Sequence, residues 1–298
     1  MPDFTLRQLE CFVAVADHAT IAHAAGALHS SPSAVNTAVT ELEKHLGEAL
    51  LIRRRAHGVT LTTAGRALLP QARALLAAAR DLAPVSDGQV RGHFMLGIYS
   101  TLSASLLPAI LDGFGRAHPR VEVDFTEGSG DELLTALDDG RVDAAILYDR
   151  DITGLPHTRA LYQVRAHVLL PADHRLAGAE RVSLRELADD PFIQFDVAPA
   201  WQNTSALMAA AGVSPRVEYV TGNYELARSL VGRGLGYSVL VNRPASDTSH
   251  EGRKLVVREL DPAPEPVAVV IAWPRGRAVS RPLQAFLDWA PGRVEGPG

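Results

Sequence analysis

The chain has 298 residues, 47% hydrophobic and 21% charged, an ordinary globular composition for two or three compact units with sizeable cores. Its formal net charge of -5 argues against a wholly basic nucleic-acid coat protein but leaves room for a local basic patch, and Arg53, Arg54 and Arg55 form the densest one. A single cysteine, Cys11, excludes an internal disulfide framework, and with no leader-like start and no spanning apolar run in the sequence a cytoplasmic location is expected.

Thr5 is the expected N-cap of a first helix over residues 6–17, with Leu6, Leu9, Phe12, Val13 and Ala16 on its apolar side. Cys11 falls between Leu9 and Phe12, where it reads as a small buried hydrophobe. Thr20 caps a short Ala-rich helix over 21–28, and His29 to Pro32 form the turn. Ser31 then caps a third helix with Pro32 at its first position, where a missing N–H costs nothing.

That third helix, over 33–46, divides into two faces. Val35, Val39, Leu42 and Leu46 lie on one; Ser33, Asn36, Thr37 and Thr40 lie on the other. Two short helices joined by a tight turn, the second with an uncharged polar face, have the layout of a helix-turn-helix. Asn can make two hydrogen bonds to adenine, and Ser or Thr can reach bases or phosphates. A solvated polar face is the competing reading, but such faces usually carry Lys and Glu, which begin here only at Glu41.

The run from Glu48 to Thr62 reads as a strand, a turn at Ala56, His57 and Gly58, and a second strand over 59–62. A hairpin in this place is a wing, whose Arg53, Arg54 and Arg55, with His57 at the turn, would meet phosphates. A further helix follows from Thr63, with Leu68, Leu69, Ala72, Leu75, Leu76, Ala79 and Leu82 as its stripe and Pro70 inside it. The stripe needs a partner, either the same helix of a second copy or the chain's own C-terminal part. Residues 86–92 read as a hinge.

Beyond Gly92 strands alternate with helices. Strands are expected at 95–99, 121–125, 143–148, 164–170, 191–195, 216–220, 236–241 and 266–273, and helices at 103–117, 132–138, 201–211, 224–231 and 281–290. This is an α/β pattern in two lobes, with the last strand and helix returning to the first lobe. The expected organisation is a winged helix-turn-helix over 1–62, a linker helix and hinge over 63–91, and a ligand-binding part over 92–298. Lobe I takes about 92–161 and 266–298, and lobe II about 162–265.

The segments LRQLECFVAVADHATIAHAAGALH, SAVNTAVTELEKHLG and LLIRRRAHGVTLTTAGRALLPQA, with EGSGDELLTALDDGRVDAAILY and LVGRGLGYSVL further on, carry a resemblance over nearly the whole chain. The chain resembles the LysR-type transcriptional regulators. The resemblance implies a dimerising linker helix and a two-lobed effector domain like a periplasmic binding protein, of type 2. It implies double-stranded promoter DNA, further copies of the chain (dimer or tetramer) and RNA polymerase as partners, and a small-molecule effector; the eleven histidines are scattered without a HExxH or similar pair, so no metal or other cofactor is expected. Many relatives carry Gln-Pro where this chain has Pro32-Ser33, and Ser-Arg where it has Asn36-Thr37, so a typical operator sequence does not transfer. Peroxide-sensing relatives use two cysteines in the effector domain, and this chain has none there.

Ligands in α/β lobes sit at the C-terminal ends of strands, near helix N-termini. Ser100, Thr101 and Ser103 follow the first strand, in the loop where the resembled family places effector contacts; Glu127 and Ser129 follow the second, and Tyr148 ends the third. Phe195, Asp196, Thr221 and Asn223 hold the equivalent places in lobe II. Singly, each also reads as a cap or turn residue; together they outline a cleft, with Ser100, Thr101 and Phe195 as first candidates. No arginine lies among them while Glu127, Asp149 and Asp196 do, which points away from a carboxylate effector and towards a neutral or cationic one. The glycine-rich 232–236 segment precedes a strand rather than a helix, and no G-x-S-x-G or Walker motif is present, so an enzyme is not expected. A small-molecule binding protein with a degenerate DNA-binding head is the alternative.

Overall fold

A computed structural model describes residues 3–54, 58–80, 89–152, 154, 156–197, 200–294 and 296, with backbone alone at 54, 80 and 151. Thr5 caps α1 (Leu6–His18) reciprocally: its hydroxyl accepts the Gln8 N–H, and the Gln8 side chain accepts the Thr5 N–H at 2.8 Å. Thr20 caps α2 (Ile21–Ala27), and Ser31 caps α3 (Pro32–Leu46), which ends at Gly47 in the left-handed region at φ 73°. β1 (Leu51–Arg54) and β2 (Gly58–Leu61) pair antiparallel, and α4 (Thr63–Arg80) follows.

These elements share one core. Leu9, Phe12, Val15, Val35, Val39 and Leu42 are at most 1% exposed, and each contributes roughly 1.5–3 kcal/mol by burial. Leu6 and Leu46, expected inside, are 45% and 37% exposed. The buried stripe of α1 runs instead through Gln8, Leu9, Phe12 and Val15, because α1 turns that side towards α2 and α3. Part of the α4 stripe is covered by the chain itself: Leu69, Ala72 and Leu76 join the head core, while Leu75 stays 45% exposed. Pro70 lies inside continuous helix. Arg73 of α4 donates both to the Asp17 carboxylate of α1 and to the Asp139 carbonyl of the next domain.

The rest of the chain runs β3 (Gly92–Tyr99), α5 (Ser100–Ala117), β4 (Val121–Gly128), α6 (Gly130–Asp138), β5 (Ala144–Tyr148) and β6 (His157–Val164). It then crosses at 165–166 to β7 (His167–Pro171), β8 (Arg181–Val182), β9 (Pro191–Phe195), α7 (Ala200–Ala211), β10 (Arg216–Thr221), α8 (Tyr224–Gly232), β11 (Ser238–Leu240) and β12 (Leu255–Leu260). It returns through β13 (Val267–Trp273) and α9 (Arg281–Trp289).

Lobe I is a five-stranded sheet in the order β4-β3-β5-β13-β6, parallel through β4, β3 and β5 and antiparallel at β13. β13 inserts between β5 and β6, and α9 covers β3. Phe94, Phe114, Phe286 and Trp289 form an aromatic knot beneath it, with centroids 5.2–6.2 Å apart. Lobe II has a sheet in the order β11-β7-β12-β8, extended by the parallel pair β9 and β10 through a bridge between Phe192 and Tyr237. The single strand expected over 164–170 is two, broken at the crossover. β12 was not foreseen, because Arg258 and Glu259 interrupt its apolar run.

Candidate DNA-reading head and effector cleft

The head core fixes α3 by Val35, Val39 and Leu42 and leaves its other side to solvent. Ser31, Ser33, Asn36, Thr37 and Thr40 are all exposed. Ser31 spends its hydroxyl on the cap, accepting the Ala34 N–H at 3.2 Å, and lies 3.0 Å from the Ser33 hydroxyl. Among the described residues nothing bonds the Asn36 or Thr37 side chain, so their donors and acceptors face outward unspent.

Glu43 clamps the wing to α3. Its Oε1 accepts the Leu50 and Leu51 N–H groups at 2.8 and 3.0 Å, and its Oε2 accepts from Arg53 at 3.0 Å. The same guanidinium nitrogen reaches Thr40 Oγ1 at 3.3 Å, so in the free protein Arg53 is a strut between wing and helix. A phosphate would have to share it or draw it off. For Arg54 only the backbone is placed, and Arg55 and His57 lie outside the described residues. The wing also docks on the end of α1: the Ala19 carbonyl accepts the Val59 N–H at 2.7 Å. Gly58 sits there at φ 77°, and a Cβ would come within 2.7 Å of that carbonyl oxygen.

The two lobes enclose a cavity of about 50 Å³. Tyr99 and Tyr148, edge to face at 5.3 Å, form the lobe I wall; Phe195 and Tyr224, edge to face at 5.9 Å, form the lobe II wall. Asn242, 4% exposed at the end of β11, joins the walls. It donates to the Thr101 carbonyl at 2.6 Å and accepts the Tyr224 hydroxyl on its own carbonyl at 2.5 Å. Burial pushes the Tyr148 phenol well above its ordinary value, against a hydrogen bond with Thr101, and pushes Tyr224 up to about 12, so both stay neutral. Arg150 and Glu265 stand exposed at the rim, the guanidinium donating to the Glu265 carbonyl at 3.3 Å. Arg165 ties the two crossovers by donating to the Pro264 carbonyl at 3.0 Å.

Of the strand-end candidates, Thr101, Tyr148 and Phe195 line the cavity. The others do not, and most are occupied. Ser100 donates to the Gly128 carbonyl at 3.1 Å, and Ser103 is buried with its hydroxyl on the Ser100 carbonyl. Ser129 and Asn223 cap α6 and α8, Thr221 accepts the Asn223 N–H, and the Asp196 N–H bonds the Thr221 carbonyl. Glu127 is exposed on the edge strand β4. The charge balance read from the sequence also changes: an arginine, Arg150, lines the cavity, while Glu127, Asp149 and Asp196 do not. Tyr99, Asn203, Thr204, Tyr224 and Asn242 were missed. Asn242 follows a strand, so the strand-end rule would have found it; Asn203 and Thr204 lie on a helix face that nothing local marks.

Comparison with known proteins agrees at both ends of the chain. Residues 6–66 match the model of the bacterial regulatory helix-turn-helix proteins of the lysR family, and residues 87–294 match the LysR substrate binding domain. The HTH-type transcriptional regulator ShiR of Corynebacterium glutamicum is 32% identical over 78% of this chain and 81% of its own. The crystal structure of HinK, a LysR family regulator from Pseudomonas aeruginosa, has 32% identity and a TM-score of 0.64 over 97% of this chain and 98% of its own. A full-length OxyR variant from the same organism has 26% identity and a TM-score of 0.76 over 99% of both chains. With a winged head, a two-lobed domain and these matches across its length, the chain belongs to the LysR family of bacterial transcriptional regulators.

Proposed function

We propose that this regulator reads promoter DNA through the outer face of α3, with Asn36 and Thr37 as the base-contacting pair and Ser33 and Thr40 beside them. The observation that carries the reading is an exposed, uncharged helix face whose Asn36 and Thr37 are unspent, on a helix locked by its opposite side. Arg53, Arg54, Arg55 and His57 supply the phosphate side of the contact, and Ser31 orders the helix start. Replacing Asn36 with Ala should cost about 1–3 kcal/mol on a selected site and relax one base position. Equal loss on selected and random duplexes would remove Asn36 from base reading.

The protein works as a dimer or tetramer in the cytoplasm, without a cofactor or catalytic role, and RNA polymerase is its further partner at the promoter. Leu75, 45% exposed, lies on the side of α4 that the head core does not cover, which supports pairing of two α4 helices. The edge strands β4 and β10 expose Phe125 and Val220, at 48% and 57%, which supports a second contact between copies through the lobes. The effector enters the cavity between the lobes, where Thr101, Tyr148 and Phe195 meet it, and its entry alters the DNA contact. Arg73, bonded to α1 and to lobe I, stands on the route between them.

A further inference from the structure

The cavity between the lobes is walled by aromatic rings and almost free of charge. From its composition we infer that the effector is an uncharged, ring-bearing molecule with a hydrogen-bonding substituent; this rests on the reading of the cleft as the effector site. Two rings from each lobe face the space, and rings of this kind take a planar guest by stacking or edge contact. On α7, Asn203 and Thr204 line the same space, and among the described residues neither side chain has a hydrogen-bond partner. They offer polar groups to a guest, whereas the Asn242 side-chain N–H donates to the Thr101 carbonyl and its main-chain carbonyl accepts from Tyr224.

Charge decides between ligand classes. Arg150 and Glu265, the charged residues of the lining, are of opposite sign and stand at the rim. A carboxylate or an ammonium between the rings would be stripped of water with no buried counter-ion, an arrangement that desolvation opposes. A cation could recover part of that loss over ring faces, so it must be tested separately. Size adds a second condition. A benzene-sized guest needs about 150 Å³, and the cavity holds about 50 Å³. The cavity must therefore widen to admit a ring.

Three probes carry one ring and three charges: benzyl alcohol, benzoate and benzyltrimethylammonium. Their binding to the full chain is measured by saturation-transfer NMR titration. Benzyl alcohol should bind about tenfold or more tightly than either ion, and the Asn203→Ala/Thr204→Val double variant should weaken it about tenfold. Unfolding midpoints matching the parent's keep that comparison free of misfolding, and the conservative Phe195→Leu variant provides a second check from the opposite wall. Equal or tighter binding of either ion, or no binding of the alcohol up to its solubility, overturns the chemical class. Alcohol binding that neither cleft variant alters overturns the placement of the effector in this cleft, and so fails the underlying reading.

Discussion

Glu43 gives the sharpest local prediction because its carboxylate holds two parts of the head together. Replacing it with Ala removes the acceptor of the Leu50 and Leu51 N–H groups, in residues only 2% and 5% exposed. An orphaned buried N–H costs about 1–3 kcal/mol. The pair with Arg53, whose side chain is 39% exposed, adds at most about 1 kcal/mol after solvent screening. The expected loss is therefore about 3 kcal/mol, confined to the junction of α3 and β1, and it should speed amide exchange there about a hundredfold. Glu43→Gln keeps a carbonyl oxygen for the two amides and forfeits mainly the ion pair, so it should cost under about 1 kcal/mol. It also frees Arg53, and so should steepen the salt dependence of DNA binding by up to about one unit. Hydrogen exchange by mass spectrometry on a peptide spanning Leu50 and Leu51 reads the local term, and titration on random duplex at several salt concentrations reads the second. Ala and Gln variants that exchange alike, or an Ala variant that exchanges like the parent, would refute the clamp.

His167 gives a pH prediction. It is 8% exposed on β7, and burial, reinforced by Arg243 and Arg228 and opposed by the Arg165 carbonyl and Asp247, pushes its imidazole down to about 4. A depressed histidine stabilises the fold above its unfolded value of about 6.5 and loses that contribution as pH falls towards 4, a change of roughly 3 kcal/mol. Urea unfolding at pH 7 and pH 4.5 should show this loss in the parent and a shallower one in His167→Gln; equal slopes would contradict it. Leu75→Glu places a charge on the uncovered side of α4 and should shift the chain towards monomer in light scattering at micromolar concentration. An unchanged mass would move the contact between copies away from α4.

The helices of the head were legible because their boundaries are local. Ser31, Pro32 and Gly47 each act within a turn of the residues that they cap, and the split between Val35, Val39 and Leu42 and Asn36, Thr37 and Thr40 is a matter of spacing. The role of Arg53 was not legible, since its partner Glu43 lies ten residues back across a turn, and three neighbouring arginines look alike in sequence. In the cleft, the strand-end rule reached Thr101, Tyr148 and Phe195, but the same rule gathered Ser129, Thr221 and Asn223, which are capping and turn residues. Such residues favour helix starts for backbone reasons that have nothing to do with a ligand. Asn203, Arg150 and Glu265 reach the cavity only because of how the lobes are set by the crossovers at 165–166 and around Pro264. That is a tertiary fact with no period or motif to announce it.

The base-reading role of α3 is tested most directly by selecting binding sites from a random duplex library with the full chain and with Asn36→Ala. The parent should recover two related half-sites about 34 Å apart along the duplex, one for each copy of α3. The variant should keep their spacing and lose preference at one matching position in each. Recovery of an identical sequence preference by both proteins would contradict the assignment of base reading to this helix face.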